Sequence, residues 1–198
     1  MKKETALALS AAVAAAGAGA AAFFLLRKKS GKASQPAGKA DASPAAPKNT
    51  APGSYSFVSG YKDAKEVNAA FSYNADVFAC KVIEDEFLTY TSDSHVAVLY
   101  GDEYSVQIEY SDYYSGDSFE KLATVLAEKY TGFEKLAYGS NTVYKYYDGS
   151  NVCFCVPATE FSYLLVTAVL GKNSKIDYTQ LAEDSDLSFI LSTINIKS

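Results

Sequence analysis

Few side chains in this sequence combine type and spacing in a way that could support chemistry. Gly116-Asp117-Ser118 has the order found around the nucleophile of G-D-S serine esterases. That reaction needs a histidine base close to the hydroxyl, supplied in such enzymes by a later Asp-x-x-His segment. The one histidine, His95, precedes Ser118 and opens an apolar stretch. Asp117 and Ser118 have instead the character of helix-capping residues, so no catalytic residue is assigned.

Cys153 and Cys155 are two apart in a strand-forming run, which points both thiols to one side. They could form a redox pair, bind a metal, or pair with Cys80. A spacing of about 6.5–7 Å along a strand is poor for a mutual disulfide. No basic residue adjoins them to lower a thiol pKa. The simpler reading is two small buried apolar residues between a sheet and a helix.

The acidic groups Glu84-Asp85-Glu86, Asp102-Glu103 and Asp112…Asp117 could collect calcium, yet none has the register of a calcium loop. Each reads as a solvated turn. One histidine without close Cys or His partners argues against a zinc site, and no metal or cofactor is expected. Tyr113 and Tyr114 remain as the candidate partner-binding residues. Two adjacent tyrosines in the polar run 110–117 cannot both be buried easily. Tyrosine offers a large, stiff ring with a polar tip, which suits stacking on a sugar or packing on a protein. The competing reading folds one ring onto the core and leaves the other incidental.

The elements that must position these residues lie in 55–198. A capping-box spacing (Asp63, Glu66) with Ala64, Val67, Ala70 and Phe71 on one side predicts a short helix over 63–71. Strands are predicted at 77–83, 87–91 and 95–100, the last nearly all apolar like a central strand. Tyr104, Val106, Ile108 and Tyr110 alternate with Ser105, Gln107 and Glu109, the pattern of a half-buried strand. Short turns between these runs imply antiparallel pairing. Asp117 and Glu120 open an amphipathic helix over 118–130, with Phe119, Leu122, Ala123, Leu126 and Tyr130 as its apolar stripe and Gly132 near its stop. Asp148-Gly149-Ser150-Asn151 joins strands 142–147 and 152–156 in a hairpin. A strand at 161–170, helix within 177–192 and a short strand at 193–197 complete an α+β domain, mostly antiparallel sheet.

Residues 1–54 are a different physical object. Eight basic and two acidic residues give +6, while 55–198 carry ten basic and 21 acidic residues, or −11. That acidic balance argues against a nucleic-acid partner. Residues 5–26 are free of charge and, as a helix of roughly 33 Å, long enough to span a bilayer of ~30 Å. The rival is a cleaved signal peptide, since the Ala-rich run offers A-x-A sites. The apolar run, however, strengthens at Phe23–Leu26 and stops at Arg27-Lys28-Lys29, as an uncleaved anchor does. Residues 27–54 contain no aromatic residue and no Val, Ile, Leu or Met, the composition of a linker. Orientation cues divide. The basic cluster after the span and the odd cysteine count favour a cytoplasmic domain. The Lys-Lys start and the long Pro/Ala/Ser spacer favour an exterior one, which is the expectation adopted.

The succession of antiparallel strands, amphipathic helix, further strands and a C-terminal helix ends in Phe189-Ile190-Leu191-Ser192-Thr193-Ile194-Asn195-Ile196. Over about 75–198 this resembles the Mog1/PsbP-like α/β/α sandwich, whose bacterial members often carry an exported or lipid-anchored domain and an "I-L-x-S-I-x-I" end. The resemblance implies a non-enzymatic binding or accessory module and carries over no catalytic motif. The expected protein is a single-pass membrane protein of the bacterial cell envelope, held in the bilayer by residues 5–26. Its partner would be an envelope protein or glycan. A hydrolase-type enzyme and a structural or stress-related surface protein are the rival functions.

Overall fold

Alternating apolar side chains build two antiparallel sheets in the computed structural model, which describes residues 44–59, 65–84, 95–112, 118–159 and 162–197. The smaller sheet has the order β1-β2-β10, from β1 (Thr50–Ser59), β2 (Lys65–Asn74) and β10 (Asn195–Lys197). The larger has seven strands in the order β3-β4-β5-β9-β8-β7-β6. Its members are β3 (Ala79–Glu84), β4 (His95–Tyr100), β5 (Tyr104–Asp112), β6 (Thr131–Tyr138), β7 (Asn141–Asp148), β8 (Asn151–Thr159) and β9 (Ser162–Leu170). Helices α1 (Phe119–Lys129), α2 (Tyr178–Ala182) and α3 (Ser185–Thr193) complete the α+β architecture.

The larger sheet has two working faces. Its inner face carries Ala97, Leu99, Val106, Ile108, Phe154, Val156, Leu164 and Val166, all essentially inaccessible, packed with Leu181 of α2 and Leu187, Ile190 and Leu191 of α3. Val67, Ala69 and Phe71 of β2 close the same core. The outer face receives α1, whose Leu126 is buried against Tyr144, Tyr146, Cys153 and Cys155.

Several expectations hold at the residue level. β4 lies between β3 and β5, as its apolar run requires. β5 buries Tyr104, Val106 and Ile108 and turns Gln107 outward. The 148–151 turn joins β7 and β8, with Gly149 in the left-handed region at φ 63°.

Others are corrected. The segment read as helix over 63–71 is strand from Lys65, because Val67, Ala69 and Phe71 fit a period of two while β1 and β10 supply partners on both edges. The cap of α1 is Ser118, whose hydroxyl accepts from the Lys121 N–H; Asp117 lies outside the described residues. Helix does occupy much of 177–192 as expected, in two segments separated at Glu183–Asp184. β1 starts at Thr50, five residues inside the stretch whose composition reads as linker. β6, unread in the sequence, follows α1 directly and is bulged between Thr131 and Glu134, where Gly132 takes φ 64° and packs under the Tyr147 ring.

Residues 5–26 and the expected strand at 87–91 lie outside the described residues. Among those described, no helix is long and apolar enough to cross a membrane.

Candidate functional site

Of the residues singled out for chemistry, Tyr113 and Tyr114 lie outside the described residues, between the end of β5 and the cap of α1. His95 begins β4, and its side chain is likewise undescribed. Ser118 is occupied as a helix cap. Glu103 is occupied too: its Oε2 accepts from the Lys175 N–H at 2.6 Å and the Ser174 hydroxyl at 3.2 Å, tying the β4–β5 turn to the segment before α2. Among the described residues no group of His, Cys, Asp and Glu side chains is arranged to hold a metal ion.

The cysteines follow the apolar reading. All three are free thiols, with Cys153 and Cys155 buried beneath α1 and Cys80 half-buried on the inner face. Burial pushes the Cys153 thiol up to about 11, opposed by hydrogen bonds with Thr167 and Tyr146. Burial raises Cys155 further and also raises Cys80. None is poised as a thiolate nucleophile. At pH 7.5 an alkylating reagent is therefore expected to label Cys80 alone in the native protein and all three thiols in denaturant. Rapid native labelling of a Cys80→Ser variant would contradict this placement.

α1 covers only part of the outer face. It packs on β6 and β7, where Phe119 stacks on Tyr144 at 4.1 Å and Tyr130 on Tyr146 at 4.5 Å. Over β4, β5 and β9 the outer side chains include Val96, Val98, Gln107, Glu109, Tyr163, Leu165 and Thr167, as the alternation of these strands dictates, and Val98 is only 4% exposed. Farther along β4, Tyr100 is 48% exposed. Glu109 stands between Val96 and Leu165, which are directly across from it on the two neighbouring strands. Burial raises its carboxyl pKa, and among the described residues no cation or hydrogen-bond donor is paired with it. Tyr163 is pushed up to about 12 by burial, against a hydrogen bond with Ser111.

Two other polar regions are structural. A groove of about 450 Å³ is lined by Ser140, Asn141, Pro157, Ala158 and the segment from Ser192 to Ile196. Two of its polar side chains are already engaged. Asn141 Nδ2 donates to the Leu191 and Ile194 carbonyls at the end of α3, and Thr193 Oγ1 bonds both to the Ser72 backbone and to the Ile190 carbonyl. On the inner face, Lys145 is held in an ion pair with Glu134 at 3.0 Å and lies over the Tyr147 ring.

Glu109 escapes a sequence reading, because alternation assigns it to the same outward side as Ser105 and Gln107 without distinguishing it from a solvated acid. Its position in an interior strand, flanked by Val96 and Leu165, is the distinguishing feature, and that requires the strand order. In comparison with known proteins, the chain matches no family model, none of the curated proteins and no solved structure.

Proposed function

We propose that this chain is a membrane-tethered, non-enzymatic binding or accessory protein of the bacterial cell envelope. In this reading residues 5–26 sit in the bilayer, the following basic segment is a spacer, and the acidic domain meets an envelope protein or glycan outside the membrane. The observation that carries it is the outer face of the larger sheet, where among the described residues α1 packs over β6 and β7. The chemically capable side chains at Ser118, Glu103, Cys153 and Cys155 are committed to capping, bracing and packing, while the sheet beyond α1 presents side chains including Tyr100. A Mog1/PsbP-like sandwich belongs to the same reading, supported by α1 on one face of the sheet and α2 and α3 on the other. Tyr113 and Tyr114, in the segment that joins β5 to α1, are assigned to the partner-binding surface.

Protease treatment of intact cells tests the topology. The domain should be digested without lysis; a domain that survives until lysis overturns the exterior placement. A Tyr113→Ala/Tyr114→Ala variant tests the surface. It should lose the partner recovered by cross-linking and pull-down from solubilised envelopes, and an unchanged set of partners removes the two tyrosines from the assignment.

A further inference from the structure

The outer face of β4, β5 and β9 contains one electrostatic inconsistency. Glu109 occupies the middle of these three strands, with Val96 and Leu165 opposite it and Gln107 and Ser111 beside it on its own strand. Its carboxylate has given up part of its hydration without gaining a counter-ion among the described residues, an arrangement that lowers stability. The other titratable groups near it are Tyr163 on β9 and Cys153 on β8, and both ionise only in alkali. Near neutral pH Glu109 is therefore the one charged side chain among the described outer-face residues of β4, β5 and β9, apolar on two sides, while Lys81 lies on the same face of β3, beyond β4. The domain as a whole is acidic, with ten basic against 21 acidic residues over 55–198, which steers cations toward it.

We propose that this face binds a basic segment of a partner protein, with a Lys or Arg side chain pairing with Glu109 and neighbouring apolar side chains covering Val96 and Leu165. This rests on the accessory-domain reading and names the chemistry of its partner. The incoming cation supplies the missing counter-charge, and a charge-assisted hydrogen bond shielded by apolar neighbours is among the stronger polar contacts available. Placing an unsatisfied carboxylate in a strand interior exchanges stability for binding, a pattern common at functional sites.

The test uses the full-length protein in phosphatidylcholine nanodiscs and a fluorescent probe peptide of alternating Leu and Lys, with a Leu–Glu peptide and empty nanodiscs as controls. Glu109→Gln preserves shape and removes charge. It should weaken binding of the Leu–Lys peptide by about tenfold or more. Asp102→Asn, at the exposed β4–β5 turn, should change it by less than about twofold. The same Glu109→Gln variant should melt higher than the wild type at pH 7. A carboxyl whose folded pKa is raised stabilises the fold below its unfolded pKa, and that contribution is lost as pH rises through the folded value. The melting gain should therefore vanish below the ordinary carboxylate range, where Glu109 is protonated in both states. No binding by the wild type, equal binding by wild type and Glu109→Gln, equal losses from both substitutions, or an unchanged Tm at pH 7 each overturns the proposal. The accessory-domain reading is decided independently by the wild-type pull-down: recovery of no envelope partner overturns that reading, whatever the peptide does.

Discussion

Replacing Asp184 with Ala is expected to lower unfolding free energy by about 2–4 kcal/mol, the sum of a lost helix cap and a stranded buried hydroxyl. Asp184 Oδ1 accepts from the Asp186 and Leu187 N–H groups at 2.8 and 3.0 Å, which caps α3. The same oxygen accepts from the Tyr104 hydroxyl at 2.6 Å. Tyr104 is 3% exposed and packs edge-on against Phe78, so its hydroxyl has little access to water once Asp184 is gone. Burial, followed by the Asp184 carboxylate, keeps that phenol protonated. Tyr104→Phe removes the donor but leaves Asp184 capping α3, so its cost should be near 1 kcal/mol. The two losses should not add. In the double variant the stranded hydroxyl no longer exists, and the cycle should show a coupling of about 1 kcal/mol or more. Urea unfolding followed by circular dichroism measures all four proteins. Strict additivity, or an Asp184→Ala cost within 0.5 kcal/mol of zero on the scale typical of surface substitutions, would refute the shared-acceptor account.

Phe154→Ala should be costlier still, about 3–5 kcal/mol, because it combines lost transfer energy with a cavity the surroundings cannot fill. Phe154 is fully inaccessible on β8, two strands from the sheet edge. It faces the layer formed by α2 and α3 and meets Tyr138 edge-on at 6.1 Å. A domain of ordinary stability has roughly 5–15 kcal/mol in total, so this single truncation should move the whole transition. Leu126→Ala provides the contrast. Leu126 is the one residue of α1 buried outright, and it belongs to the separate cluster on the outer face. Its loss should loosen α1 first, with faster proteolysis and hydrogen exchange in 119–129 while the strands stay protected. If Phe154→Ala cost less than about 1 kcal/mol, or if Leu126→Ala opened the strands as readily as α1, the assignment of two independent clusters would fail.

The parts of the fold legible in the sequence were those with strong local signals. β5 alternates over seven residues, the 148–151 turn carries Asp-Gly, and α1 has an apolar stripe between a capping residue and a glycine. β1 was not legible. Thr50-Ala51-Pro52-Gly53-Ser54 has the composition of a spacer and becomes strand only because β2 pairs with it along its length, with Gly53 leaving room for the Phe71 ring. β2 itself satisfies both a helical and a strand pattern through Val67 and Phe71, and the two neighbouring strands decide between them. β6 lacked a signal because its burial does not alternate, a consequence of the bulge at 131–134.

The site divides in the same way. That Cys153 and Cys155 share a face opposite Phe154 follows from a period of two along a strand, and the sequence alone determines it. The split of charge into a basic N-terminal segment and an acidic remainder is likewise a property of the chain. Which face α1 covers, how far it reaches, and what stands across from Glu109 depend on the order β3-β4-β5-β9-β8-β7-β6. Tertiary structure alone decides these, because strands distant in the chain become neighbours. Glu109 and Leu165 are one register pair, as are Glu109 and Val96. A carboxylate that local alternation sends toward solvent is partly desolvated by residues the local sequence does not contain.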